Sequence, residues 1–104
     1  MRRVVPTLFP SDPLLKDAAM FGAAIRAART GAGMTLVDAA MTLGISKQTL
    51  SNLEKASGSV GLSIALKVAR ELGVAVFAAP AGDREPVRRI IINARKTGSG
   101  EGKK

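Results

Sequence analysis

LVDAAMTLGISKQTLSNLEK, residues 36–55, is the stretch on which the fold turns. Leu36, Ala39, Ala40 and Leu43 recur at helical spacing and form one apolar stripe, which Gly44 interrupts. Thr35 opens this helix, with Asp38 three residues on as a shortened capping box. Ser46 is a good N-cap for a second helix, whose apolar positions are Leu50 and Leu53. A small residue, Ala40, sits where two such helices would press together, and glycine permits the sharp turn between them. Leu43, Ile45, Leu50 and Leu53 then lay the second helix across the first. Its outer face is left polar: Lys47, Gln48, Ser51, Asn52 and Lys55.

Upstream, Asp12-Pro13 reads as a helix start, because Asp caps and Pro suits the first helical position. Leu14, Ala18, Phe21, Ile25 and Ala28 follow on one face, with Gly31 and Gly33 ending the helix. Downstream, Gly58, Ser59 and Gly61 make a loop. A fourth helix is expected from Leu62 to Leu72, with Leu62, Ala65, Leu66, Ala69 and Leu72 facing the core and Gly73 stopping it. Ile64 and Val68 lie off that stripe, either thickening the core contact or packing on a partner. Val74 to Pro80 is apolar, partly β-branched and short, so it reads as a strand over residues 74–79. A lone strand cannot satisfy its own backbone groups. Pairing with the same strand of a second copy, through Val74, Val76 and Phe77, solves this; a buried irregular arm is the alternative. Pro86 to Lys96 reads equally as a basic helix or a second strand.

The expected organisation is one domain. An extended arm occupies residues 1–11, the folded domain residues 12–80, and a basic extension residues 81–104, disordered at its end from Thr97. The net charge is +8, and residues 84–104 carry seven bases against two acids. Arg2 and Arg3 add to this at the other end, while residues 4–83 are nearly neutral. A polyanionic partner fits that distribution, with Arg2, Arg3, Arg88 and Arg89 as phosphate contacts. For the last six residues, a tail that merely aids solubility would look the same.

The chain has no Cys and no His, so thiolate chemistry, Cys/His zinc sites and Ser-His or Cys-His pairs are excluded. Its acids are scattered, no S-x-x-K occurs, and the glycine clusters fit neither the dinucleotide nor the P-loop pattern. The expectation is a protein with no enzymatic activity, cofactor or metal. No apolar run is long enough to span a bilayer, and Pro6, Pro10 and Asp12 stand where a signal peptide needs an apolar stretch. A cytoplasmic protein without membrane attachment is expected.

Amide and basic side chains on an outer helix face match base edges in the DNA major groove. Gln and Asn pair bidentately with adenine, and Lys donates to guanine. A generic helical pair with a glycine turn would share the pattern; the flanking helices at this spacing are what favour DNA.

Three segments, FGAAIRAAR (residues 21–29), GMTL (33–36) and GISKQTLSNLE (44–54), together with LKVARELGV (66–74), resemble the Xre, or lambda-repressor-like, helix-turn-helix family over about residues 20–79. The resemblance implies a mainly α domain of four to five helices, here with a short C-terminal strand pairing across a dimer. It also implies double-stranded DNA as partner. By position it assigns Ser46, Lys47, Gln48 and Asn52 to base reading or the groove, with Ser51 on the same face. Thr35 and Lys55 match phosphate contacts. Arg29 and Glu54 match a partly buried ion pair tying the first helix to the third, whose disruption would cost about 3–5 kcal/mol if well buried.

Two departures stand out. Leu36 replaces a Gln that often touches phosphate and braces the recognition helix, and Gly61 replaces a usual Ser cap. Within the family, the expected strand is most similar to that of HipB-like antitoxins. This implies a homodimeric repressor of its own promoter that also binds a HipA-like kinase toxin. The apolar stretches Val4 to Phe9 and Ile90 to Ile92 are candidate partner surfaces, with ordinary packing against the domain as the alternative. A stand-alone or phage-type regulator is the alternative, as is an antitoxin acting mainly through protein binding.

Overall fold

The computed structural model describes residues 3–101. Five α-helices follow in order: α1 (Ala18–Gly31), α2 (Leu36–Leu43), α3 (Lys47–Lys55), α4 (Leu62–Glu71) and α5 (Arg84–Glu101), with one 3-10 turn at Ala81–Asp83 before the last. The chain divides into two compact units. One joins the segment up to Pro10 with Lys16–Val76; the other joins Ser11–Leu15 with the chain from Phe77 onward.

In the first unit, α1 to α4 enclose a core of Ile25, Ala39, Ala40, Leu43, Leu50, Leu53, Ala65, Val68 and Ala69. Phe21, Met34, Leu36, Ile45, Val60, Leu72 and Val74 close around it. Ile25, Leu50 and Val68 are its largest fully buried side chains. With aliphatic and alanine side chains at the centre, helices can approach closely, and α1 shows how closely. A Cβ added to Gly22 would lie 2.6 Å from the Leu53 carbonyl oxygen and closer still to that of Glu54. The backbone of α1 therefore rests directly on the end of α3. The N-terminal segment is tied to α1 by the Thr7 amide, which donates to Thr30 Oγ1 at 3.0 Å, while that hydroxyl donates to the Arg26 carbonyl at 2.9 Å.

Helix α1 begins later than the sequence suggested. Its N-cap is Asp17, which accepts from the Met20 amide at 2.9 Å. Asp12 instead accepts from the Leu14 amide at 2.9 Å, a local turn that competes with helix for the same backbone groups. Leu14 thus stands before the helix and Ala18 is exposed.

Helix α4 is also rotated from its expected setting. Ala65, Val68 and Ala69 are buried, whereas Leu62 is 73% exposed and Leu66 39%. Both settings share residues 65, 69 and 72, so period alone did not separate them. The small side chains let α4 seat against the core and leave the larger leucines outside.

No strand is present among the described residues. The Val74 amide closes the end of α4 by donating to the Ala69 carbonyl at 2.8 Å, and Gly73 turns the chain with φ of 83°. Val74 is half-buried, but Val76 and Phe77 are exposed. A strand needs a ladder partner, and this segment has none within the chain.

In the second unit, the stretch left open as helix or strand is α5. Arg88 pairs with Asp12 at 3.0 Å and with Glu85 at 2.9 Å, and Arg95 donates to the Ser11 carbonyl at 3.4 Å. Helix α5 is continuous to Glu101; the rest of the expected disordered tail lies outside the described residues. Among them, no helix is long and apolar enough to cross a membrane.

Candidate nucleic-acid interface

The site is a short helix that follows a sharp turn, with one side in the core and the other outside. Thr35 caps α2, its hydroxyl accepting from the Asp38 amide at 3.1 Å. At the other end Gly44 takes the left-handed conformation, φ 73°, open to glycine at no steric cost. The Ile45 amide donates back to the Ala40 carbonyl at 3.1 Å. Lys67 of α4 reaches across to donate to the Leu43 carbonyl at 2.7 Å, satisfying a carbonyl that the end of α2 leaves without a helical partner. Ser46 caps α3, accepting from the Thr49 amide at 2.9 Å while its own hydroxyl lies 2.8 Å from Thr49 Oγ1.

Leu50 and Leu53 anchor α3 inside. Arg29 clamps its far end: Nε and Nη2 donate to the two Glu54 carboxylate oxygens at 2.6 and 2.9 Å. Nη1 donates to the Met34 carbonyl at 2.8 Å. Both side chains are buried, 8% and 5% exposed. A fork-to-fork pair of this kind fixes direction as well as distance. One guanidinium therefore ties α1, the loop before α2 and α3 together.

Helix α3 ends at Ala56, the one described non-glycine residue with positive φ, 56°. The left-handed region costs a side chain about 1–2 kcal/mol, partly offset in any glycine replacement by about 0.5–1 kcal/mol of unfolded-state entropy. Ala56→Gly is therefore expected to stabilise the fold by roughly 0.5–1 kcal/mol, seen as a midpoint a few degrees higher in thermal unfolding followed by circular dichroism.

On the outward side, Ser46, Lys47, Gln48 and Lys55 are exposed, and Ser51 and Asn52 half-buried. These six expected contact residues do share one face. Their freedom differs. The Ser46 hydroxyl is engaged in its cap. Asn52 Oδ1 accepts from Gln48 Nε2 at 2.9 Å and from Ser57 Oγ at 3.2 Å. Lys47 occupies the first position of α3, where a cation works against the helix dipole. Thr35 is half-buried at the start of α2, its oxygen accepting in the cap while its O–H proton is left to donate.

Of the expected phosphate contacts at the termini, Arg3 and Arg89 are exposed, Arg88 is held by two carboxylates, and Arg2 lies outside the described residues. Gly22, against the end of α3, and Lys67, on the turn before it, are not identified from sequence. A glycine inside an alanine-rich helix, where Ala is favoured by about 1 kcal/mol, was the available signal for the first. The second had none, since it depends on a contact 24 residues away.

A family model described as Helix-turn-helix matches residues 25–77, half of the chain. No protein of curated function matches it.

Proposed function

This chain belongs to the Xre/lambda-repressor-like helix-turn-helix family, whose members are DNA-binding regulators, and on that premise we propose that it is a sequence-specific repressor of its own promoter. Two copies bind a palindromic operator, each laying α3 into a major groove, with half-sites about 34 Å apart. Lys47 and Gln48 carry the base reading, with Ser46 and Ser51 beside them. Thr35, Lys55, Arg3 and Arg89 hold phosphate. The observation that carries this reading is Lys47 at the amino end of α3, exposed beside Gln48. A cation placed against the dipole breaks a local rule of helix design. A phosphate or a guanine edge at that spot supplies the compensation.

Binding to the gene's own upstream DNA and to a scrambled duplex, over a salt series, tests it. Lys47→Ala/Gln48→Ala is expected to lose the preference for its own DNA, about 1–3 kcal/mol per lost base contact. Arg89→Gln should instead weaken both DNAs alike and lower the salt slope by about one. Equal binding of wild type to both duplexes sinks the reading.

Dimerisation draws support from apolar surface that one copy leaves uncovered: Leu62, Ile64 and Leu66 on α4, and Val76 after it. The HipB-like likeness rests mainly on Leu72 to Pro80 and on size, and no strand within one copy supports the first of these. One observation still favours a protein partner such as a HipA-like toxin: Val5 and Leu8 are 70% and 93% exposed. Co-expression with the product of the neighbouring gene, comparing wild type with Val5→Ser/Leu8→Ser, tests that second reading. An unchanged yield of complex rules out this segment as the contact.

A further inference from the structure

Among the polar residues of α3, Asn52 has the chemistry of a base reader but an unusual set of neighbours. An amide carbonyl oxygen has two lone pairs. Asn52 Oδ1 receives two donors, Gln48 Nε2 at 2.9 Å from one turn before and Ser57 Oγ at 3.2 Å from the loop beyond α3. The loop is shaped to deliver the second donor. Ala56 and Gly58 both take positive φ, 56° and 65°, and the Ser57 amide donates to the Asn52 carbonyl at 2.9 Å. Gly58 passes so near that a Cβ there would lie 3.4 Å from Asn52 Nδ2.

Adenine recognition by an amide needs one acceptor and one donor, aimed together at N6–H and N7. Asn52 has spent its acceptor. Gln48 has not: with one Nε2 hydrogen on Asn52, it keeps the other, together with Oε1, for an outside partner. In this relay the Gln48 amide nitrogen lies on the Asn52 side.

We propose that Asn52 is a positioning residue and not a base reader: held by Ser57, it orients the Gln48 amide, so that Gln48 alone reads an adenine. The proposal rests on α3 reading an operator. It adds that the loop after α3, through Ser57, sets how sharply one base pair is distinguished.

Selection from a pool of duplex DNA with a randomised central stretch, with base frequencies read position by position, tests it on the full chain. Gln48→Ala and Asn52→Ala should relax the same base pair, each by about ten- to a hundredfold in preference, and the double variant should relax no other. Asn52→Asp retains an acceptor for both donors. It should keep the preference at that base pair while binding every sequence more weakly, since it adds a negative charge near phosphate. Ser57→Ala, an exposed and mild change, should blunt the same preference by a smaller factor.

Relaxation by Asn52→Ala at a different base pair would mean that Asn52 reads a base itself, and overturns the proposal. So would loss of the Gln48 preference in Asn52→Asp, or a Ser57→Ala profile identical to wild type. A wild-type chain that selects no sequence overturns the operator reading and this inference with it; the other failures leave the operator reading standing.

Discussion

Glu54→Ala is expected to lower the unfolding free energy by about 3–5 kcal/mol, the cost of leaving a buried charge without its partner. Arg29 would keep only its bond to the Met34 carbonyl, in a site where it is 8% exposed. Against a typical margin of about 5–15 kcal/mol, that is a large share of the stability of a small domain. Arg29→Ala should cost a similar amount. The test that separates a paired charge from lost packing is the double variant Arg29→Met/Glu54→Leu. Replacing both charges with apolar groups of similar volume is often neutral or stabilising. Urea unfolding of the three variants should therefore show two strongly destabilised single variants and a double variant much nearer wild type. Near-additive losses would mean that the pair contributes chiefly through shape, and would refute this account of the clamp.

Gly22→Ala is the second large effect, and it acts through volume alone. Its Cβ would fall 2.6 Å from the Leu53 carbonyl oxygen and nearer still to the Glu54 carbonyl. Neither of these is a movable side chain; both belong to the backbone of α3. Overpacking of a tight contact costs about 1–3 kcal/mol, occasionally more, and the upper part of that range is expected here. On a domain of this size each kcal/mol lowers the midpoint by roughly 4–8 °C. Relief can come only from moving α3 away from α1, so operator binding should fall even below the unfolding temperature. Gly31→Ala is the control. Nothing lies within 4 Å of the added carbon there, so it should leave binding intact and cost no stability. Thermal unfolding with a parallel binding titration distinguishes the two. A Gly22→Ala chain as stable as wild type would show that α1 and α3 do not need this approach.

Both effects arise from contacts between residues far apart in the chain. The segment from Thr35 to Lys55 was legible because its signals are local. The Thr35 cap, the left-handed Gly44 and the Ser46 cap each bond within a few residues, and all stand where the residue types indicated. The start of α1 differs from the expected Asp12 because Asp17 can also cap, and a local turn takes up the Asp12 carboxylate. The rotation of α4 is not fixed by its period, since two faces share Ala65, Ala69 and Leu72. Val74 to Pro80 has strand composition, but strand formation depends on a partner that composition does not supply. Gly22 and Lys67 act through contacts far along the chain. On the candidate interface, residue type places Gln48 and Asn52 on the outward face of α3 but does not show that one holds the other. That relation depends on where Ser57 comes to lie.

The clamp between Arg29 and Glu54 has a consequence for descent. Lysine is no stand-in for Arg29, since it lacks the planar fork that meets both carboxylate oxygens and the Met34 carbonyl together. Any lineage changing one partner first must cross an intermediate weakened by about 3–5 kcal/mol, even when the apolar pair on the far side folds as well. The two positions are therefore expected to be inherited as a couple, kept by the depth of the valley around them and not by being the best solution available.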